Sequence, residues 1–324
     1  MTIGMFCPHC VNMNDKNEFA LVPKPPGAVE NVAPGTKRIL ASMVADMSGL
    51  AKKLAGKEVS IADSQLEIWF QTGEKYSSNR NWDEAARWYR KAAEHNYAPA
   101  QNMMGYCYQH GWGVQQNFFE AVKWYHAAAE QKYAEAQYHL GGCYLNGDFL
   151  QGVEKDLPKA VTWYRRAADQ NHAYAQFALG YRYYVGEGVE QNYEEAAKWY
   201  RKAADQGKAL AQNRLGNCYH EGKGVPQDYV EAAKWWRKAA EQNNTEAQYS
   251  LACCYEQGQG VPPDVVEAYK FYKLAAGQKK ITSLTLEQNR KAAAENLKQI
   301  VTQMTAVEIT EGERRYREFN LAKT

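Results

Sequence analysis

A phrase of two aromatic residues, usually a basic residue or two, then small alanines recurs down the middle of this 324-residue chain. It opens at Trp88-Tyr89, Trp124-Tyr125, Trp163-Tyr164, Trp199-Tyr200, Trp235-Trp236 and Phe271-Tyr272, a spacing of 36 residues broken once by a step of 39. A fixed period of this size demands an array of supersecondary units, because each unit buries its apolar face only against its neighbours. Length alone would suggest about two globular domains, and the period replaces that expectation.

Each period has two halves. The first, starting at Ala98, Ala134, Ala173, Ala209 and Thr245, follows the pattern Ala-x-Ala-Gln-x-x-Leu-Gly-x-x-Tyr, with apolar and small residues at helical spacing. Small residues at its first, third and eighth positions admit a second helix at close range. A glycine loop follows, as in Gly186-Glu187-Gly188-Val189 and Gly222-Lys223-Gly224-Val225. None of these loops runs into Lys-Ser or Lys-Thr, so they read as turns that use positive φ, not as phosphate cradles. The second half opens on Asn81, Asn117, Asn192, Asp228 or Asp264, each with Glu three residues on, the spacing of a helix-capping box. A cap contributes about 1 kcal/mol. A buried aromatic ring removes roughly 150–250 Å² from water, about 4–6 kcal/mol gross. Caps therefore set where helices start, and the aromatic pairs are expected to hold neighbouring units together.

The flanks differ. Residues 1–34 are rich in proline and glycine and are expected to be irregular. They contain Cys7-Pro8-His9-Cys10, whose C-x2-C spacing suits a zinc knuckle. No second pair lies nearby, so the stretch reads as a reduced tail, with zinc held by Cys7, His9 and Cys10 as the alternative; no other cofactor is expected. Apolar positions in 39–54 predict an amphipathic capping helix within 35–65. A shorter repeat occupies 66–97, and five longer ones occupy 98–133, 134–172, 173–208, 209–244 and 245–280. Residues 281–324 are expected to form two capping helices, about 286–304 and 306–319, opened by Thr285-x-x-Gln288 and Thr305-x-x-Glu308. Leu297, Ile300, Val301 and Met304 would hide the last apolar face.

Lys plus Arg number 39 against 37 Asp plus Glu, so the chain lacks the strong basic excess of a dedicated nucleic-acid binder, and no nucleic-acid partner is expected. No run of about 18 apolar residues implies a membrane span, and no secretory leader is evident, so a cytoplasmic protein is expected. Cys107, Cys143, Cys218 and Cys254 fall at one repeat position, with Arg182 in the same slot of the middle repeat. With no second cysteine a helix away, they read as small buried hydrophobes. His139 and Cys143 are four apart on one helix, but no third ligand is evident, so packing is the favoured reading. The residue after each aromatic pair, Arg90, His126, Arg165, Arg201, Arg237 or Lys273, is read as part of a solvated basic ridge balanced by nearby glutamates.

In stacked helix pairs the first helices line one concave face. Positions 2, 5, 9 and 12 of each are expected to point into that groove, which selects Asn102, Tyr106, Tyr138, Tyr174, Phe177, Tyr181, Tyr184, Asn213, Asn217, His220 and Tyr249 as candidate partner-binding residues. Exposed aromatics beside Asn suit a peptide. No Ser-x-x-Lys occurs, and no Ser/His/Asp grouping repeats in register.

The phrases quoted, most fully in 173–208 and 209–244, resemble the Sel1-like repeat, a relative of the tetratricopeptide repeat, over roughly 98–280; residues 66–97 resemble a plain tetratricopeptide unit. The resemblance implies an all-α, right-handed α/α solenoid of stacked antiparallel helix pairs, capped at both ends. It implies a non-enzymatic scaffold or adaptor that binds a protein or peptide in its concave groove. Two alternatives are a penicillin-binding or β-lactamase-like enzyme, after some relatives, and a helical-repeat reader of single-stranded RNA. Relatives with two cysteines per repeat form disulfides; this chain has one.

Overall fold

The computed structural model describes residues 63–147, 153–278 and 284–322. Cys7, His9, Cys10 and the helix expected in 39–54 lie outside the described residues. Fourteen α-helices and no strand occur among those described: α1 (Asp63–Ser78), α2 (Trp82–Ala93), α3 (Ala98–His110), α4 (Phe118–Glu130), α5 (Ala134–Asn146), α6 (Leu157–Asp169), α7 (Ala173–Val185), α8 (Tyr193–Asp205), α9 (Ala209–Glu221), α10 (Tyr229–Glu241), α11 (Thr245–Gln257), α12 (Val265–Ala276), α13 (Leu284–Val301) and α14 (Ala306–Leu321). They form an all-α repeat solenoid of adjacent helix pairs. One compact unit holds α1 to α5 and ends at Asp156; the other begins at Leu157 and holds α6 to α14.

Helix starts are set by the caps. The side-chain oxygens of Asn117 and Asn192 each accept from the amide three residues on, at 3.0 Å. Only half of the expected box forms in the repeats. Their glutamates turn forward to a cation at i+3, as Glu195 does to Lys198 (2.8 Å) and Glu231 to Lys234 (2.6 Å). The reciprocal box forms at Thr305 and Glu308. Helix α13 starts at Leu284, so Thr285 lies inside it and does not cap it.

The first helices α3, α7, α9 and α11 end on a left-handed glycine. At Gly222 (φ 69°) the amide returns to the Cys218 carbonyl, and the Lys223 amide joins it at 3.0 Å. The second loop glycine answers a steric demand: a Cβ on Gly224 would lie 1.9 Å from the Tyr193 carbonyl oxygen. This glycine is what lets one repeat's loop lie on the second helix of the repeat before it.

Three interactions recur along the array. The second aromatic of each pair is buried within its own helix pair: Tyr89, Tyr125, Tyr164, Tyr200, Trp236 and Tyr272. A glycine of the first helix faces that ring, so closely that a Cβ on Gly105 would stand 2.6 Å from the Tyr125 ring. A glutamine ladder then ties repeats together. Gln206 donates to Oε1 of Gln176 (2.7 Å), and Gln176 donates to the Ala168 carbonyl of the preceding repeat (3.2 Å). Gln242–Gln212–Ala204 repeats the arrangement at 2.8 and 3.1 Å.

The third is an arginine clamp, which corrects the expected solvated ridge. Arg90 donates to the Tyr108 hydroxyl (3.0 Å) and Arg237 to that of Tyr255 (2.5 Å); Arg165 reaches Tyr183 and Arg201 reaches Tyr219 in the same way. Each arginine is thus spent on the first helix of the next repeat. At the C-terminal end α12 packs on both α13 and α14, and Ile300 and Met304 are buried there with Leu297 and Val301 against them.

Candidate functional site

The first helices of the 157–322 unit carry most of the residues selected from sequence, and most are not open to solvent. Phe177, Tyr181, Tyr184, Asn213, Asn217 and Tyr249 are buried, and so are Asn102 and Tyr106 in the other unit. The expectation that positions 5, 9 and 12 point into an open groove is corrected at these eight residues. The physical reason is self-occupancy, because neighbouring side chains of the chain itself fill the face. Asn213, at 0% exposure, donates to Glu246 of the next first helix (2.7 Å), and Arg214 reaches the same carboxylate at 3.3 Å. Asn217 accepts from the Trp236 indole at 2.9 Å. Phe177 packs on Tyr200, and Tyr249 on Tyr272, with centroids 5.8 and 5.9 Å apart. Tyr138 and His220 are half-buried. Tyr174 is 40% exposed, with the Lys208 ammonium 3.9 Å from its ring centroid.

What remains open is the rim where first helices end. In two repeats position 12 supplies a partner for the buried ring behind it: Tyr125 donates to Gln109 (2.8 Å) and Tyr272 to Glu256 (2.5 Å). The middle repeat has Tyr184 at that position. The fully buried Tyr200 hydroxyl is left with no hydrogen-bond partner. The Tyr184 hydroxyl instead meets the next repeat's loop, accepting from Lys223 (3.1 Å) and lying 3.3 Å from Glu221. Lys223 and Glu221 pair at 2.8 Å, and Tyr193 stands edge-on to Tyr184 at 5.1 Å. An open cleft of about 650 Å³ adjoins this node, lined by residues 191–194 at the start of α8 and by Gly222, Gly224, Val225 and Pro226.

Electrostatics keep the node in one protonation state. Burial, above all, pushes the Tyr184 hydroxyl up to about 12. At Lys223 burial opposes the charge, but the hydrogen bonds it donates to Glu221 and Tyr184 outweigh it, so the ammonium is held above its usual value. Tyr193, Glu221 and Lys223 were not selected from sequence. A signal existed: the residue between the two loop glycines is Trp112, Glu187, Lys223 or Gln259, variable inside a constant frame.

The repeated cysteine slot is a packing position. Cys107, Cys143, Cys218 and Cys254 are free and buried, and burial pushes each thiol up to about 12. Arg182 in the same slot is 3% exposed and pairs with Glu187 at 2.5 Å. His139 stacks on Tyr125 (5.0 Å) and lies 3.4 Å from Glu135. No cluster of three or more metal-ligating side chains occurs among the described residues. No described helix is long and apolar enough to cross a membrane.

A family model described as Sel1 repeat matches residues 69–97, 98–133, 134–172, 173–208, 209–244 and 245–279. A Sel1 repeat protein from Oxalobacter formigenes is 34% identical, with 71% of this chain and 99% of that one covered and a TM-score of 0.61. A protective antigen of uropathogenic Escherichia coli strains, c5321, displays an SLR fold; it is 30% identical over 78% of this chain and 60% of its own, with a TM-score of 0.55. No curated protein matches this chain.

Proposed function

Since the chain belongs to the Sel1 repeat family, we propose that it is a non-catalytic scaffold. It holds a protein or peptide partner along the first-helix side of the 157–322 unit, anchored at the half-buried Lys223, Glu221 and Tyr193, which the buried Tyr184 holds in place. One observation carries this reading. The recurrent contacts consume the aromatic pairs, the glutamines and the arginines in stacking, whereas in the middle repeat the hydroxyl at position 12 serves the rim and the buried Tyr200 hydroxyl goes without a partner. Leaving the Tyr200 hydroxyl unpaired costs about 1–3 kcal/mol of desolvation. A departure of this kind is expected at functional positions and is offset elsewhere in the fold. Tyr193 supplies rigid aromatic area in the cleft wall, backed by the buried Tyr184 ring, and Lys223 and Glu221 supply donors and acceptors for main-chain groups.

Chemical crosslinking in cells, followed by mass spectrometry on the full chain, tests the reading. A partner captured by the wild type is expected to be lost from Lys223→Glu and Tyr184→Ala and retained by Lys291→Glu, at an exposed position of α13 that is not part of the rim. Retention of the same partner by both rim variants overturns the site. Capture of no protein at any stage overturns the scaffold.

A further inference from the structure

The 63–156 unit holds a patch that the Tyr184 rim leaves unused. Trp82 and Trp112 stack with centroids 4.2 Å apart and planes 26° apart. Tyr106 stands edge-on to Trp112 at 5.1 Å, tilts against His110 at 4.3 Å and reaches His139 at 6.0 Å. Trp82, Trp112, His110 and His139 are half-buried, so the patch meets solvent.

Two features set it apart. Five other tryptophans, Trp69, Trp88, Trp163, Trp199 and Trp235, have a cation over the ring, as Lys91 over Trp69 at 4.2 Å, Lys202 over Trp199 at 3.9 Å and Lys238 over Trp235 at 4.1 Å. Among the described residues, neither Trp82 nor Trp112 has one. The second feature is a pair of buried side-chain atoms with no hydrogen-bond partner, Oδ1 of Asn102 and Nε2 of His110. Asn102 is only 5% exposed. Asn102, Tyr106 and His110 follow one another at intervals of four on α3 and so share one side of the helix. Asn102 Oδ1 is an acceptor, and a neutral imidazole protonated at Nδ1 presents Nε2 as a second. Burial, reinforced by His139, lowers the His110 pKa and keeps the ring neutral.

A half-buried indole pair with no cation over it, beside acceptors that lack donors, defines its complement. It is a flat, weakly hydrated cation with several N–H groups, which describes a guanidinium better than an ammonium and excludes an anion. We propose that this patch receives an arginine side chain of a protein partner, with the guanidinium against Trp82 and Trp112 and its N–H groups directed to Asn102 and His110. The proposal shares with the scaffold reading only the premise that the ligand is a protein; its surface is separate from the Tyr184 rim.

The test uses the full chain with labelled indole nitrogens and two probes, N-acetylarginine methylamide and its neutral isostere N-acetylcitrulline methylamide. The arginine probe is expected to shift the Trp82 and Trp112 indole resonances saturably. The citrulline probe should bind at least about tenfold more weakly, the loss of a charge-assisted contact. Trp112→Leu should abolish the shift at Trp82. Asn102→Leu, which removes the unpaired acceptor without opening the core, should weaken binding severalfold with unchanged or higher thermal stability, so the proposal stays testable if Trp112→Leu folds poorly. Lys223→Glu should bind the arginine probe as the wild type does, which separates this patch from the rim. The proposal is overturned by equal affinity for the two probes, by no shift with the arginine probe, or by full affinity in Asn102→Leu.

Discussion

Gly216 faces the indole of Trp236 so closely that a Cβ at that position would lie 2.6 Å from the ring's Cδ1. The pair joins the two helices of one repeat, and the same register recurs at Gly73 and Tyr89, Gly105 and Tyr125, and Gly180 and Tyr200. The last full repeat places Ala252 there instead, opposite Tyr272, and both are fully buried.

Gly216→Ala sets two effects against each other. Helix propensity favours alanine by roughly 0.5–1 kcal/mol. Forcing a methyl into the ring costs about 1–3 kcal/mol. A net loss of about 1–2 kcal/mol is expected, and Gly216→Val should lose more. Denaturant unfolding with a constant slope measures both; a stabilised Gly216→Ala would show that the ring yields freely.

The glutamine ladder predicts an asymmetry. Gln176 is satisfied at both ends of its amide, donating to the Ala168 carbonyl and accepting from Gln206. Gln248 donates to the Ala240 carbonyl at 3.2 Å, while its buried Oε1 has no partner. Gln176→Leu strands donor and acceptor groups on both sides and should cost about 1–3 kcal/mol. Gln248→Leu should cost distinctly less, because it also removes an unpaired acceptor. Equal losses in parallel thermal melts would count against the ladder.

Removing a hydroxyl should have opposite outcomes in two equivalent rings. Tyr125→Phe breaks a bond to Gln109 and should lose about 0.5–1.5 kcal/mol. Tyr200→Phe removes a buried hydroxyl with no partner and should be neutral or stabilising. A loss at Tyr200 as large as that at Tyr125 would mean that its hydroxyl is satisfied in solution.

The pH dependence follows from His110. Its folded pKa lies below the ordinary value of about 6.5, chiefly through burial and secondarily through His139. Between the folded and unfolded pKa values the unfolded chain binds more protons. The contribution is therefore fully present above the unfolded pKa and is lost as pH falls through the folded one. His110→Phe should flatten that acid limb of the stability curve, and an unchanged slope below neutrality would contradict the assignment.

The repeat lengths, helix pairing and buried aromatic pairs were legible in sequence because they follow from periodicity, and periodicity reports burial directly. The open groove was not. Whether Phe177 or Asn213 faces solvent depends on what the adjacent first helix places opposite it, here Glu246 beside Asn213, and spacing within one helix carries no such information. The arginine clamp was hidden for the same reason: Arg201 and Tyr219 are eighteen residues apart and meet only after stacking. The Tyr184 node is half legible: helical spacing singles out Tyr184, whereas Lys223 sits in a glycine loop where spacing carries no signal.

The glutamine ladder also has a direction. Gln206 gives its hydrogen bond to Gln176 of its own repeat, and Gln176 gives one backward to Ala168 of the repeat before. Gln242, Gln212 and Ala204 do the same one repeat later. Every such junction therefore presents the same donor to the same carbonyl, whichever two repeats meet. Such a unit behaves as a cassette. A second copy of residues 209–244 spliced in after the first would find the partners of this ladder already in register, and its added cost would fall on the repeat-specific contact of Asn213 and Arg214, which would meet Leu210 in place of Glu246.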